Sequence, residues 1–298
     1  MSDFIVHVLI IAATYGIAAV SLNLQIGVAG LMNFGQIAFF GIGGYAVAMA
    51  VRAGLPPLAG IPLGVLVAAL AGALVGRLGR NLKAEYWAIA TLGIAEIFRT
   101  VLINEGWATG GAGGIGGDLS LFPGLSGKSA IWAMLGVAVI GLALSFLVMR
   151  DLTERQFGRI LRLTREQPDL AISFGHDIVR YKVKAMAMAA GVAAFGGSLA
   201  TSYIAYISPG DLVAFGTFLL WTMVIIGGIG NHRGAVLGAF AVQFIFVGAL
   251  FLKDGLGIPS ELAGALRMLI VGVLLLAFLM IRPAGLVPER LRKINAED

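Results

Sequence analysis

Cysteine is absent from the 298 residues, so the chain can hold neither a disulfide nor a thiolate-ligated metal. Histidine is nearly absent too. His7, His176 and His232 are too dispersed to give a metal-ligand spacing. Charge is scarce: Asp, Glu, Lys and Arg make up 12% of residues, about half of the roughly 25% usual in soluble domains. There is no G-x-x-x-x-G-K-[ST] phosphate loop, so the chain is not expected to hydrolyse ATP itself. No cluster of nucleophile, acid and metal ligand can be assembled for an enzyme embedded in a membrane. No cofactor is expected on this chain. The opening MSDFIVHVLI lacks a basic stretch before its apolar run, and a cleaved signal peptide is not expected.

What is present is apolar. Hydrophobic residues reach 59% and glycine numbers 43, with a mean hydropathy of +0.94. One water-facing core cannot hide that much apolar surface and still leave a polar shell. Lipid can replace water as the solvent. The glycines sit inside long apolar runs, where helices pack closely in a membrane, and not in polar low-complexity tracts. The expected fold is all-α, a polytopic transmembrane helix bundle forming a single domain over 1–298.

A spanning helix needs roughly 20 predominantly apolar residues. Nine segments qualify: 4–26, 31–51, 57–78, 84–104, 129–149, 184–206, 211–231, 235–252 and 260–281. The second begins polar and is broken by glycines, so it reads as either a span or a re-entrant segment, and the expected number of spans is eight or nine. With nine, sixteen Lys and Arg residues fall on one side, in 77–83, 150–184, the turn near Arg233 and the tail 282–298. The other side holds Arg52, Lys128 and Lys253. Arg99 and Arg267 lie within apolar runs. The positive-inside bias puts the C-terminus in the cytoplasm and makes nucleic acid an unnecessary explanation of the net charge of +5. The loop 105–128 is then external. Its Gly111, Gly113 and Gly116 spell G-x-G-x-x-G without the strand and helix that a dinucleotide site requires.

Three groups of residues carry candidate function. The polar stretch 151–182, within a loop of about 150–183, alternates apolar and basic residues at helical spacing. Pro168 suits the start of a second short helix and Gly175 its stop. This segment rests either on lipid headgroups or against a soluble partner, and Glu166, Asp169 and Asp177 favour the partner because they would repel anionic lipid. Asn23, Gln25, Asn33 and Gln36 cluster around the break between the first two segments. They suit either a solvated translocation path or hydrogen bonds between helices. Glu96 and Arg99, three apart on the fourth span, suit either a translocation pair or an ion pair joining two helices. The ion pair is preferred, because both lie in the outer half of the span.

Five strings, in order, carry a resemblance. SLNLQIGVAGLMNFGQIAFFGIGGYAVA (21–48), YWAIATLGIAEIFR (86–99), TGGAGGIGG (109–117), FGRILRLTREQPDLAISFG (157–175), and YISPGDL (206–212) followed by VIIGGIGNHRGAVLGA (224–239) resemble the LivM-like permease of branched-chain amino-acid ABC importers. The resemblance implies a second, LivH-like permease, two cytoplasmic ATPase subunits and an extracytoplasmic substrate-binding protein as partners, in a bacterial inner membrane. It implies that the 150–183 loop holds a coupling helix seated on the ATPase, with Gly158, Arg159, Arg165, Glu166, Ala171 and Gly175 matching the family's loop. Pro168 and Asp169, in the same segment, depart from its usual acidic and aliphatic residues. Replacing Arg165 or Glu166 is expected to uncouple transport and leave the bundle intact. Two other readings remain: an ion- or proton-coupled secondary transporter, which would need an acidic relay deep in several helices, and the same permease type carrying urea or short amides.

Overall fold

The computed structural model describes residues 2–80, 82–125, 127–256 and 260–289. The tail beyond Glu289, with Arg290, Arg292 and Lys293, lies outside the described residues, as do the side chains of Lys253 and Arg267. Twelve α-helices follow in order among the described residues: α1 Ser2–Asn23, α2 Gln36–Arg52, α3 Pro57–Leu78, α4 Ala84–Asn104, α5 Gly106–Thr109, α6 Lys128–Glu154, α7 Gln156–Glu166, α8 Pro168–Ser173, α9 Ile178–Ile204, α10 Ala214–Gly227, α11 His232–Leu256 and α12 Ser260–Ile281. Six of the apolar helices are long enough to cross a membrane by length and composition, and Gln36–Arg52, Ala214–Gly227 and His232–Gly248 are shorter apolar helices.

Small residues decide how these helices meet. The buried face of α3 reads Gly60, Gly64, Ala68, Gly72 and Gly76, one small residue every turn. A side chain at Gly64 would come within 3.0 Å of the Gly43 backbone on α2, and one at Gly72 would meet the Met186 carbonyl on α9 at 2.7 Å. Backbones therefore approach until they touch, and dispersion replaces the hydrophobic drive that lipid does not supply. The opposite face of α3 exposes Leu58, Leu66, Leu70 and Leu74. Contiguous apolar surface of this kind is not tolerated in water, and it gives the bundle its lipid-facing belt. Replacing Gly72 by leucine is expected to destabilise the bundle by about 3 kcal/mol through overpacking, read as a lower thermal midpoint in detergent. An unchanged midpoint would contradict the close approach.

The first helix ends in a π-helical turn at Leu24–Val28. The chain then runs without regular structure from Gly30 to Gly35 before α2 begins. A helix start buried among apolar side chains must find acceptors for its orphan amides. Here neighbouring helices supply them. Thr91 Oγ1 of α4 accepts from Phe34 N at 3.0 Å, Asn33 Oδ1 from Gly35 N at 2.8 Å, and Thr217 Oγ1 of α10 from Ile37 N at 3.2 Å. The segment does not turn back. Gly30 packs on Arg165, and Arg52 at the far end of α2 donates to the Ala108 carbonyl in the loop after α4. The expected span 31–51 is thus an extended entry followed by a helix running through to the other end.

Two ends are distinct. One gathers α7, α8, the turn at 228–231 and residues 282–289. The opposite end gathers 105–125 and 205–213, where Ile115–Gly116 and Tyr206–Ile207 form a two-residue antiparallel ladder. The glycine-rich 111–116 string is a short 3-10 turn running into that ladder, and it does not itself open a helix as a dinucleotide site requires. Within the polar stretch 151–182, α6 continues to Glu154, and α9 starts at Ile178 with Asp177 Oδ1 accepting from Arg180 N at 3.1 Å.

Candidate functional site

Gln25, Asn33 and Gln36 come together, as their positions around the break imply. Asn33 Nδ2 donates to Gln25 Oε1 at 2.9 Å and to Gln36 Oε1 at 2.7 Å, and Gln36 Nε2 donates to Ser21 Oγ at 2.8 Å. Trp221 of α10 stacks on Phe34 with centroids 4.5 Å apart, and its Nε1 donates to the Asn33 carbonyl at 2.9 Å. The Ser21, Gln25, Asn33 and Gln36 side chains are fully buried. Gln25 Nε2 is a buried donor without a partner, and such a group costs about 1–3 kcal/mol. Apart from that donor, the amides bond one another and Ser21 between α1, the break and α2. Beside them lies an apolar pocket of about 90 Å³, lined by Phe39, Ile42, Val75, Ile94 and Phe98, with Asn33 and Thr91 at one end.

Asn23 is not part of that cluster. It stands two residues, about 200° of ordinary helical turn, from both Ser21 and Gln25, and so faces the other side of α1. Asn23 Oδ1 accepts from Gly230 N at 2.8 Å, and its Nδ2 meets His232 Nδ1 at 3.1 Å. His232 Nε2 lies 2.8 Å from Thr153 Oγ1, whose own proton goes to the Met149 carbonyl at 2.7 Å. Thr153 must therefore accept, and the chain is consistent with an imidazole protonated at Nε2 and bare at Nδ1. This buried line ties α1, α11 and α6 at one end. Only glycine fits at Gly27, where a Cβ would strike the Gly230 backbone.

The surface helices attach to the same place. A Cβ at Gly158 would strike the Thr153 carbonyl, so α7 leaves α6 at a tight corner. Ile160, Leu161 and Thr164 face inward, and Phe157 stacks against Tyr181 of α9 at 5.7 Å. The Arg165 side chain reaches the π turn at the end of α1. Its guanidinium donates to the Gly27 carbonyl in the π turn, to Glu166 at 2.9 Å and to Glu289 Oε2 at 3.2 Å. Arg162 donates to Glu289 Oε1 at 3.2 Å and to the Thr153 carbonyl at 3.3 Å. Glu289, 17% exposed, therefore bridges two guanidinia across the top of the bundle. Arg165 thus contacts the end of α1 as well as its own loop, whereas Glu166 is exposed and pairs with Arg165.

The short α8 closes as its sequence implies. Gly175 has φ +78°, its N–H donates to the Ile172 carbonyl at 2.8 Å, and His176 N donates to the Ala171 carbonyl at 3.0 Å. This is a Schellman ending, which needs the left-handed residue. Ala171 is buried, while Asp169, Leu170, Ile172 and Phe174 are exposed, as are Arg159 on α7 and Gly175 itself.

Glu96 and Arg99 do form an ion pair, but within α4 and not between two helices. Their side chains are 53% and 26% exposed, on a helix that buries only the stripe Trp87, Thr91, Ala95 and Leu102. The structure does not bring them to the Gln25–Asn33–Gln36 cluster. His232, Thr153 and Glu289 escaped the reading of the sequence. The one available signal was a polar Asn-His-Arg run opening an apolar helix.

The description of the branched-chain amino acid transport system permease component matches residues 4–279. The chain belongs to that family. A LivM permease of Methanocaldococcus jannaschii is 29% identical over 97% of this chain and 94% of its own length. The LivM high-affinity branched-chain amino acid transport permease of Escherichia coli is 29% identical over 92% of this chain and 68% of its own. A LivH permease of M. jannaschii is 24% identical over 93% of this chain and 89% of its own. The protein is a LivM-like permease, and its apolar helices make it a multi-pass membrane protein. In this permease the strings quoted above fall on the π turn and the Gln25–Asn33–Gln36 cluster, on α4, on the ladder at 115–116 and 206–207, on α7–α8 and on the turn at Gly230.

Proposed function

We propose that the protein is the transmembrane permease subunit of an ATP-driven importer of branched-chain or related amino acids, sharing its translocation path with a LivH-like permease. One observation carries this reading: α7–α8 is a polar helical pair outside the apolar bundle, wired through Arg165 to the π turn of α1. A force on α7 therefore reaches the segment between α1 and α2 where the buried amides lie. A two-state bundle needs such a handle, since a partner can shift it only through differential contact with its states. The exposed apolar edge of α8 supports a protein seat over a lipid one, because Asp169 and Glu166 flank it and both would be repelled by anionic lipid.

The rest follows in the same frame. The α7–α8 end and the C-terminus face the cytoplasm, where sixteen basic residues gather. The nine apolar segments cross the membrane nine times. ATPase subunits dock on α8, and the extracytoplasmic binding protein meets the 105–125 end. The Glu96–Arg99 face of α4 turns to the second permease, because a charge pair facing hydrocarbon is costly.

The test is uptake by proteoliposomes holding this chain with its second permease, two ATPases and binding protein. Labelled leucine is expected to accumulate only with ATP, and labelled urea is not. Accumulation driven by a proton gradient without ATP would support the secondary-transporter reading instead. ATP-dependent uptake of urea in place of leucine would reassign the solute.

A further inference from the structure

At the α7–α8 end, a cleft of about 600 Å³ opens between α6, α7 and α11. Its rim carries Arg150, Arg159, Arg162 and Arg233, with Glu154 and Glu289. The two carboxylates are already engaged. Glu154 takes Arg150 at 2.7 Å, and Glu289 takes Arg162 and Arg165. Arg159 and Arg233 are left with no acidic partner among the described residues, so the cleft holds two uncompensated positive charges. Beneath the rim the lining turns apolar at Phe146. Below the rim, α11 exposes Leu237 and Phe244 on the face that carries Arg233, and α6 exposes Leu147 one turn from Arg150. Arg233 and Leu237 are four residues apart on one face of α11, about 6 Å along the axis. That is the spacing of a headgroup phosphate above the start of its acyl chains.

The geometry points to a binding site for one anionic phospholipid, its phosphodiester held by Arg159 and Arg233 and its acyl chains laid along α6 and α11. A free phosphate ion would use the arginines and leave the apolar bed idle. An acidic segment of a protein would have no use for the lipid-facing grooves that continue the cleft. Basic pockets between spans on the cytoplasmic side are where such headgroups are held. Because α6 and α11 are the helices joined through Thr153 and His232, a lipid seated here props the same corner that α7 leaves. The inference rests on the membrane orientation proposed above and not on the transported solute.

The test is lipid retention by the purified full-length chain, exchanged into mixed phosphatidylglycerol and phosphatidylcholine and weighed intact by native mass spectrometry. Wild type is expected to retain phosphatidylglycerol roughly tenfold over phosphatidylcholine. The Arg159→Gln, Arg233→Gln double variant is expected to retain both equally. If that variant elutes as aggregate, the wild-type arms decide: inorganic phosphate is expected not to displace the bound lipid. Equal retention of both lipids by wild type, or a preference unchanged in the folded variant, would overturn the proposal. Displacement by phosphate would make this an ion site. Loss of ATPase association with lipid preference intact would give the cleft to a protein, and either result also overturns it.

Discussion

Glu289→Gln is expected to lower ATP-driven uptake at least tenfold while the complex continues to hydrolyse ATP. The substitution keeps the shape and removes the charge that holds Arg162 and Arg165 together. Hydrogen bonds to charged groups contribute about 1.5–3 kcal/mol each. These groups are partly exposed, so the bridge as a whole is discounted to about 2 kcal/mol. A change of that size shifts a two-state equilibrium roughly thirtyfold. The sign follows from the wiring. With the bridge cut, Arg165 keeps its contact with the Gly27 carbonyl but loses the carboxylate that orients it. A side chain at Gly230 would meet Glu289 at 2.6 Å, so the bridge also packs directly on the turn that receives Asn23. The measurement is the ratio of leucine transported to ATP hydrolysed in proteoliposomes. A wild-type ratio would show that α7 acts on α1 by some other route.

Phe174→Asp is expected to abolish capture of the ATPase subunits without lowering the thermal midpoint of the permease. Phe174 is 67% exposed and stands with Leu170 and Ile172 on a helix whose only buried residue is Ala171. Exposed substitutions of this kind change stability by about 0.5 kcal/mol or less. A buried aromatic anchor at an interface contributes about 2 kcal/mol or more, so binding should weaken at least thirtyfold. Co-purification with tagged ATPase reads this directly. Undiminished capture would return α8 to the role of a helix lying on lipid.

Much of this was legible in the sequence where the signal is local. A run of apolar residues long enough to span needs no tertiary context, and the nine segments of the reading each contain an apolar helix. Pro168 and Gly175 bound α8 because each acts through its own backbone. The register of Gln25, Asn33 and Gln36 was legible for the same reason: they are close in sequence as well as in space. Asn23 and His232 are not. They lie 209 residues apart, and no pattern in either segment announces the other. Glu289 was hidden differently. It sits in a tail whose composition suits a solvated basic end, and only the folded chain shows it reaching Arg162 and Arg165. The 31–51 segment was ambiguous because glycines and polar residues at its start fit a re-entrant loop equally well, and Thr91 and Thr217 settle its course from two other helices.

The absence of native cysteine allows the central claim, that α7–α8 is the cytoplasmic face of a membrane-embedded permease, to be tested with one label. Ala112→Cys and Ser173→Cys place single thiols at exposed positions on the two ends. In intact cells a membrane-impermeant maleimide is expected to modify the cysteine at 112 and to reach the one at 173 only after the membrane is opened. Labelling at 173 in sealed cells, with 112 protected, would invert the orientation and contradict the account.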